Sequence, residues 1–320
     1  MFFEGAEKKA EIQIDSNKLS LLNDIPNQYW HELVHKCEAK ILSSIENKYC
    51  KAFLLSESSL FVWDDRFLIL TCGETKLINS IEYFIQKYDK AILKQVTYQR
   101  KNEYFSHAQP SCFGDDLRTL AKYIDGQAYR FGALDGHHNF IFHYENDFQA
   151  DQQDKTYEFL AYQISEKASK LLSTTGLSKQ QIRTLFNFDQ LIPGFTIDDF
   201  VFDPYGYSLN AIKDDKYLTI HVTPQETSSY VSFESNIDLI SLSPQIISVL
   251  EPASFDILTY NEFDYLNKVN QFIPAEYQAT CKIQQTLTNG YEVKFSNYLK
   301  PSTEFSAPVK ININGENHVL

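Results

Sequence analysis

Leu54-Leu55-Ser56-Glu57-Ser58-Ser59-Leu60 decides how this chain is read, because apolar residues flank a centre made of one carboxylate and three hydroxyls. Buried polar groups cost free energy unless something satisfies or uses them. One reading is a polar kink at a strand edge. The other is a site where the Ser58 hydroxyl attacks the carbonyl carbon of Glu57 and cuts the chain. Residues elsewhere have to choose between them.

Around this stretch, a strand over 51–63 runs into Asp64-Asp65-Arg66, and Phe67-Leu68-Ile69-Leu70-Thr71-Cys72 returns before Gly73. A three-residue loop at 64–66 would set Ser58 opposite Cys72. A one-residue slip pairs Cys72 with Glu57 instead. A free cysteine is more commonly a small buried hydrophobe. Upstream, alternation over 10–14 marks a strand with Glu11 and Gln13 on one face. The stripe Trp30, Leu33, Val34, Cys37, Ile41 and Ile45 predicts a helix over 27–46. That helix contains His31-Glu32-Leu33-Val34-His35, a formal HExxH match. Leu33 and Val34 belong to the apolar stripe, so the histidines fall at its margin. No third ligand follows in helical context, and no metal site is expected.

Downstream, the pattern predicts a helix near 78–90 and strands near 128–133 and 138–144, with His137 and His138 in an exposed turn after Gly136. Alternation over 154–164 puts Asp154, Thr156 and Glu158 on one strand face. Facing solvent they need no account; facing inward, two carboxylates repel unless a cation lies between them. A second hairpin joins 205–212 to 217–223. A two-residue turn at Asp214-Asp215 sets Ser208 opposite His221. Such a pair is either a proton-transfer couple or a structural hydrogen bond. Strands near 229–234, 254–260, 280–286 and 290–296 precede a polar tail. Each half thus carries a polar-centred hairpin, which suggests an internal duplication.

With 43% hydrophobic and 14% aromatic residues in 320, the chain can bury a large core. A net charge of −13 speaks against a nucleic-acid partner, which needs a basic stripe. The five cysteines are scattered without a CxxC, as in a reduced protein. The acidic start Met1-Phe2-Phe3-Glu4-Gly5 is unlike a signal peptide, and no apolar run reaches membrane-spanning length. A cytoplasmic location is expected.

Taken together, several stretches resemble the eukaryotic-type S-adenosylmethionine decarboxylases. They are Phe2-Phe3-Glu4-Gly5, Leu55-Ser56-Glu57-Ser58-Ser59, Thr71-Cys72-Gly73, Arg100-Lys101-Asn102, Leu191-Ile192-Pro193-Gly194, Gly206-Tyr207-Ser208-Leu209-Asn210, Ile220-His221-Val222-Thr223-Pro224 and Tyr230-Val231-Ser232-Phe233-Glu234. They keep the family's order and end near 234, beyond which the match is weak. The resemblance implies an α+β fold, a four-layer α/β/β/α sandwich of two antiparallel sheets with outer helices, made by a duplicated half. It implies one domain over 1–320 that cuts itself into a short chain, 1–57, and a long chain, 58–320.

By the same resemblance Ser58 becomes a pyruvoyl cofactor whose carbonyl takes the amine of S-adenosylmethionine as a Schiff base and acts as electron sink. Glu57 is the cleavage residue, Ser208 an oxyanion donor, His221 the base for the α-proton, and Cys72 the acid that protonates carbon. Phe3 and Phe202 match the pair that stacks on adenine, Leu55 reads its edge, and Glu4 and Glu7 lie beside the substrate. Gln225 stands where the family has a glutamate holding both ribose hydroxyls, which predicts weaker affinity. Glu11, Asp154, Thr156, Glu158 and Glu234 match a buried site where some members bind putrescine as activator. A lysine of that site is Leu70 here, while Lys8 is kept. The family includes monomers and dimers, so a homodimer of processed protomers is compatible with the sequence. Two alternatives remain open: a non-catalytic regulatory paralogue, and a pyruvoyl decarboxylase of another amino acid.

Overall fold

The computed structural model describes residues 7–103, 106–204, 206–223 and 229–302, with 305, 307 and 308. The first half runs β1 (Glu7–Ile14), α1 (Asn27–Lys36), β2 (Ile41–Glu46), β3 (Lys51–Leu55), β4 (Ser58–Val62), β5 (Arg66–Cys72), α2 (Leu77–Lys87), β6 (Leu93–Lys101), α3 (Phe113–Leu120), β7 (Gly126–Gly132) and β8 (His138–Tyr144). The second half begins with β9 (Thr156–Tyr162), α4 (Glu166–Leu172), α5 (Lys179–Phe186), α6 (Phe188–Leu191), β10 (Thr196–Val201), β11 (Tyr207–Lys213), β12 (Lys216–Thr223) and β13 (Tyr230–Ser235). It ends with α7 (Leu239–Leu250), β14 (Ser254–Tyr260), α8 (Tyr265–Phe272), β15 (Gln278–Thr286) and β16 (Glu292–Leu299).

Two eight-stranded antiparallel sheets result, ordered β2-β3-β4-β5-β1-β6-β8-β7 and β10-β11-β12-β13-β9-β14-β16-β15. Adding eight to each label of the first order gives the second, so the halves share one topology. Each sheet buries its outer face under its own helices. Trp30, Phe84 and Leu120 of α1, α2 and α3 pack on Ala10, Ile12, Leu60 and Ile69. Ile182 and Ile247 of α5 and α7 pack on Phe159, Leu209 and Phe233. The inner faces meet through two smaller apolar patches, one around Phe61, Leu68 and Tyr217 and one around Ile141, Leu258 and Phe295. Between these patches the inner layer is charged. Central strands are therefore covered on both faces, and β4 is buried along its whole length.

Four local expectations change. The predicted 27–46 helix stops at Lys36, because Glu38 adopts φ +67° and the chain turns into β2. Ile41 and Ile45 continue the helical spacing by coincidence; they alternate with exposed residues along a strand. The predicted 51–63 strand folds back at Ser56-Glu57 into the β3–β4 hairpin, where Leu54 pairs with Ser59. The following turn holds two residues rather than three: Trp63 N–H bonds Arg66 O at 2.8 Å, and Ser58 lies opposite Thr71. His138 is no loop residue; it opens β8 and is buried.

Candidate active site

The site lies at one end of the sandwich, where β4, β5, β1 and β6 face β11, β12 and β13. Ser58, the first residue after the Ser56-Glu57 turn, has φ +153°. Side-chain-bearing residues rarely adopt such a conformation, at a cost of about 1–3 kcal/mol. Consecutive strand residues normally point to opposite faces. Here the strained step sends both serines toward β12, with Ser58 Oγ 2.9 Å and Ser59 Oγ 3.4 Å from His221 Nε2. Strain is thus stored beside the Glu57–Ser58 peptide.

The slipped register supplies the other half of the geometry. Glu57 O accepts the Cys72 backbone N–H at 3.0 Å and the Cys72 thiol at 3.1 Å. Two donors converging on a carbonyl oxygen form an oxyanion hole. Burial, reinforced by the carboxylates of Glu57 and Glu7, pushes the Cys72 thiol up to about 12, so it stays protonated. Burial also raises the Glu57 carboxyl, against the pull of Lys8.

Ser208 and His221 pair as the turn predicts. Ser208 Oγ lies 2.9 Å from His221 Nδ1. The two donors on Glu57 O are both from Cys72. When Nδ1 carries the ring proton and gives it to Ser208, the Nε2 lone pair faces Ser58. Burial pushes His221 down to about 4, partly offset by the Glu7 carboxylate, so the ring is neutral at neutral pH and free to act as a base. Two further hydroxyls, of Thr219 and Ser59, crowd Nε2, and with Asn210 behind them they escaped the sequence reading. Thr219 Oγ1 is 2.9 Å from it, and Ser59 Oγ is 3.0 Å from Thr219 Oγ1 and 2.5 Å from Asn210 Oδ1. The signal was present, since Asn210 and Thr219 sit two residues along from Ser208 and His221 and pair across the same hairpin.

Behind His221 lies a buried charge network. Ser232, directly opposite His221, donates to Glu7 Oε2 at 2.7 Å, and Glu7 also pairs with Lys101. Lys9 Nζ reaches Glu234 at 2.8 Å and Glu158 at 3.0 Å; Lys101 reaches Glu158 at 3.2 Å. Burial alone would favour neutral Lys9, but Glu234, Glu158 and Glu11 outweigh it and its pKa is raised. Burial raises Glu234. Arg66 sits 2.7 Å from Asp154 and 3.7 Å from Glu11. These are the residues of the expected activator site, with one difference that reshapes it. Lys9 lies directly across the β1–β5 ladder from Leu70, so an ammonium enters the site from the opposite strand. The cavity bounded by Lys9, Glu11, Asp154, Thr156 and Tyr260 measures about 10 Å³, about the space of one water.

Phe202 is half-buried, its ring edge-on to Phe200 at 4.9 Å and its N–H bonded to Gly206 O at 2.9 Å. Leu55 closes β3 and is buried. Phe3, Glu4 and Gln225 lie outside the described residues. His31, Glu32 and His35 are exposed on the solvent side of α1, where Glu32 is held by Tyr83 and Gln28.

The adenosylmethionine decarboxylase family model matches residues 1–299. The chain belongs to that family. It is therefore a carboxy-lyase of S-adenosylmethionine, with a role in polyamine synthesis. The S-adenosylmethionine decarboxylase proenzyme of Dictyostelium discoideum is 31% identical over 92% of this chain and 85% of its own length. The Caenorhabditis elegans proenzyme is 35% identical over 78% of this chain and 73% of its own. A Trypanosoma brucei AdoMetDC-delta26 monomer shares the fold, with TM-score 0.61 at 21% identity over 76% of this decarboxylase and 99% of that chain. Among the described residues of the decarboxylase, no helix is long and apolar enough to cross a membrane.

Proposed function

We propose that the chain is a self-processing proenzyme: Ser58 cuts the Glu57–Ser58 peptide and becomes a pyruvoyl group heading the chain 58–320. The observation that carries this reading is the placement of Ser58 Oγ 2.9 Å from His221 Nε2 while Glu57 O rests on both donors of Cys72. In the first step the Ser58 hydroxyl gives its proton to Nε2 as its oxygen bonds the Glu57 carbonyl carbon. The carbonyl π pair moves onto Glu57 O, held by Cys72. Collapse breaks the C–N bond, and the proton passes from His221 to the Ser58 nitrogen. Relief of the strained φ at Ser58 favours this acyl shift. In the second step His221 removes the Cα proton of residue 58, and the Cβ–Oγ bond breaks to release Glu57 as a carboxylate. Water then displaces ammonia to leave the ketone.

The pyruvoyl group supplies a carbonyl that takes the substrate's amine and draws off the electron pair left by carbon dioxide. The chain's own residues do the rest. Cys72, neutral and beside residue 58, is placed to deliver a proton to carbon. Phe202 offers an aromatic face for the adenine and its sulfonium neighbour. Glu7 lies beside this centre with its charge fixed by Lys101 and Ser232. The product, decarboxylated S-adenosylmethionine, is an aminopropyl donor. Lys9 takes the place an activating diamine would fill, so putrescine is dispensable here.

Release of labelled carbon dioxide from carboxyl-labelled S-adenosylmethionine tests the reading. Wild type is expected to be cut and active, and Ser58→Ala uncut and silent. Full activity in Ser58→Ala would overturn it.

A further inference from the structure

Three hydroxyls surround the single lone pair of His221 Nε2: Ser58 and Thr219 at 2.9 Å and Ser59 at 3.4 Å. A neutral imidazole nitrogen accepts one strong hydrogen bond. If Thr219 or Ser59 donated to it, the base would be capped, and Ser58 could not give up its proton. Where the other two protons go therefore decides whether the site can react.

We propose that Ser59, Thr219 and Asn210 form a one-way hydroxyl chain that reserves the Nε2 lone pair of His221 for Ser58. The chain is directed by its far end. Ser59 Oγ lies 2.5 Å from Asn210 Oδ1, and a carbonyl oxygen can only accept, so the Ser59 proton points to Asn210. Ser59 Oγ then offers a lone pair to Thr219, 3.0 Å away, and the Thr219 proton points to Ser59. Thr219 turns a lone pair, not a proton, toward Nε2. Of the three hydroxyls, Ser58 alone has no other acceptor for its proton among the described residues, and it is the one aimed at Nε2. Once Nε2 carries that proton, Thr219 Oγ1 is ready to accept from it, which steadies the charged ring while the carbonyl is attacked.

The elements explain why the chain holds. Asn210 and Thr219 are cross-strand partners on β11 and β12, and both are fully buried, so water does not compete. Ser59 is delivered from the other sheet by the same strained step that delivers Ser58. The bond to Ser59 is the one hydrogen bond of the Asn210 side chain among the described residues, Nδ2 having no partner there. The charged groups facing His221 are Glu7 from β1 and Lys101 from β6; neither lies on the hydroxyl chain. Ser59, Thr219 and Asn210 are thus positioning residues, acting through His221.

The inference rests on the self-processing reading, and its test separates the two. Cleavage of freshly translated chain is followed by denaturing gel. In Ser59→Ala the Thr219 proton loses its acceptor and falls back on Nε2, so cleavage is expected to slow at least tenfold. Adding Thr219→Val removes the competing hydroxyl, and the double variant is expected to recover to within a few-fold of Thr219→Val alone. Ser59→Ala with Thr219→Ser keeps the competitor and is expected to stay slow. A structural role for Ser59 would make every double variant at least as slow as the single one. Wild type cut at Ser58 with Ser59→Ala cut equally fast, or a double variant that fails to recover, would overturn the hydroxyl chain and leave self-processing standing. A wild-type chain that stays uncut would overturn both.

Discussion

Burial holds His221 neutral, and that sets the pH window in which it works as a base. The folded value, about 4, lies below the ordinary 6.5, so the ring loses base function only as pH falls toward 4. The cleavage rate of wild type is therefore expected to be flat above about pH 6 and to decline below pH 5. A profile centred near pH 6.5 would show an exposed histidine instead. The Cys72 thiol lies on the Glu57 oxygen, and the proposed mechanism gives it a second duty at the substrate carbon. Cys72→Ala is expected to slow cleavage about tenfold, its backbone N–H remaining, and to reduce carbon dioxide release per cut chain by about 10²–10⁴-fold. Equal losses in both assays would argue against separate roles. Sequence reasoning found Ser208 opposite His221 because a two-residue turn left one register. It set Ser58 against Cys72 through a three-residue loop and gave a one-residue slip, pairing Cys72 with Glu57, as the alternative; Arg66 pairs back to Trp63, and the slipped register is the one found. That slip is what brings Cys72 onto the Glu57 carbonyl. Gln225→Glu is expected to lower KM for S-adenosylmethionine, and an unchanged KM would remove the ribose account.

At the scale of elements, β1 carries the molecule's least ordinary pattern. Its outward residues Ala10, Ile12 and Ile14 enter the core, while Glu7, Lys9 and Glu11 face the second sheet. The alternation was legible; that the polar face is the buried one was not, because β9 and β13 bring Glu158 and Glu234 from far along the chain. The lysine expected at position 70 has its counterpart across the ladder at Lys9, a swap that spacing within one strand does not reveal. Lys9→Met removes the nearer of the two ammoniums that Glu158 and Glu234 share, leaving Lys101 at 3.2 and 3.8 Å, and breaking a buried pair costs about 3–5 kcal/mol. Wild-type progress curves are expected to be unchanged by putrescine. Lys9→Met is expected to be destabilised and slow, and to regain activity with putrescine, since methionine is thinner and the carboxylates then want a cation. Stimulation of wild type by putrescine would contradict this. The 27–46 helix failed at Glu38, where one left-handed residue converts a continuous apolar stripe into helix, turn and strand.

Across the whole molecule, the repeated strand order is the clearest trace of duplication, which the sequence showed only as a polar-centred hairpin in each half. The duplication places Ser58 on one half and His221 on the other. It also fixes the fate of the short chain. Residues 1–57 contribute β1, β2 and β3, and β1 lies between β5 and β6 in the middle of the first sheet. The cut chains are therefore expected to co-elute in native gel filtration and to part only in denaturant; a separated 1–57 fragment would refute this arrangement. Acid stability follows from the same buried histidine. As pH falls from 6.5 toward 4 the unfolded chain takes up the proton first, so stability contributed by neutral His221, about 3 kcal/mol, is lost over that range. Urea midpoints of Ser58→Ala at pH 7.5 and pH 5, with and without His221→Asn, measure it. The drop is expected to be smaller in the double variant.

Intact mass measurement of the purified protein tests the central claim most directly. The account predicts two chains, one ending at Glu57 and one whose first residue is a pyruvoyl-blocked residue 58. A single chain of 320 residues would contradict it.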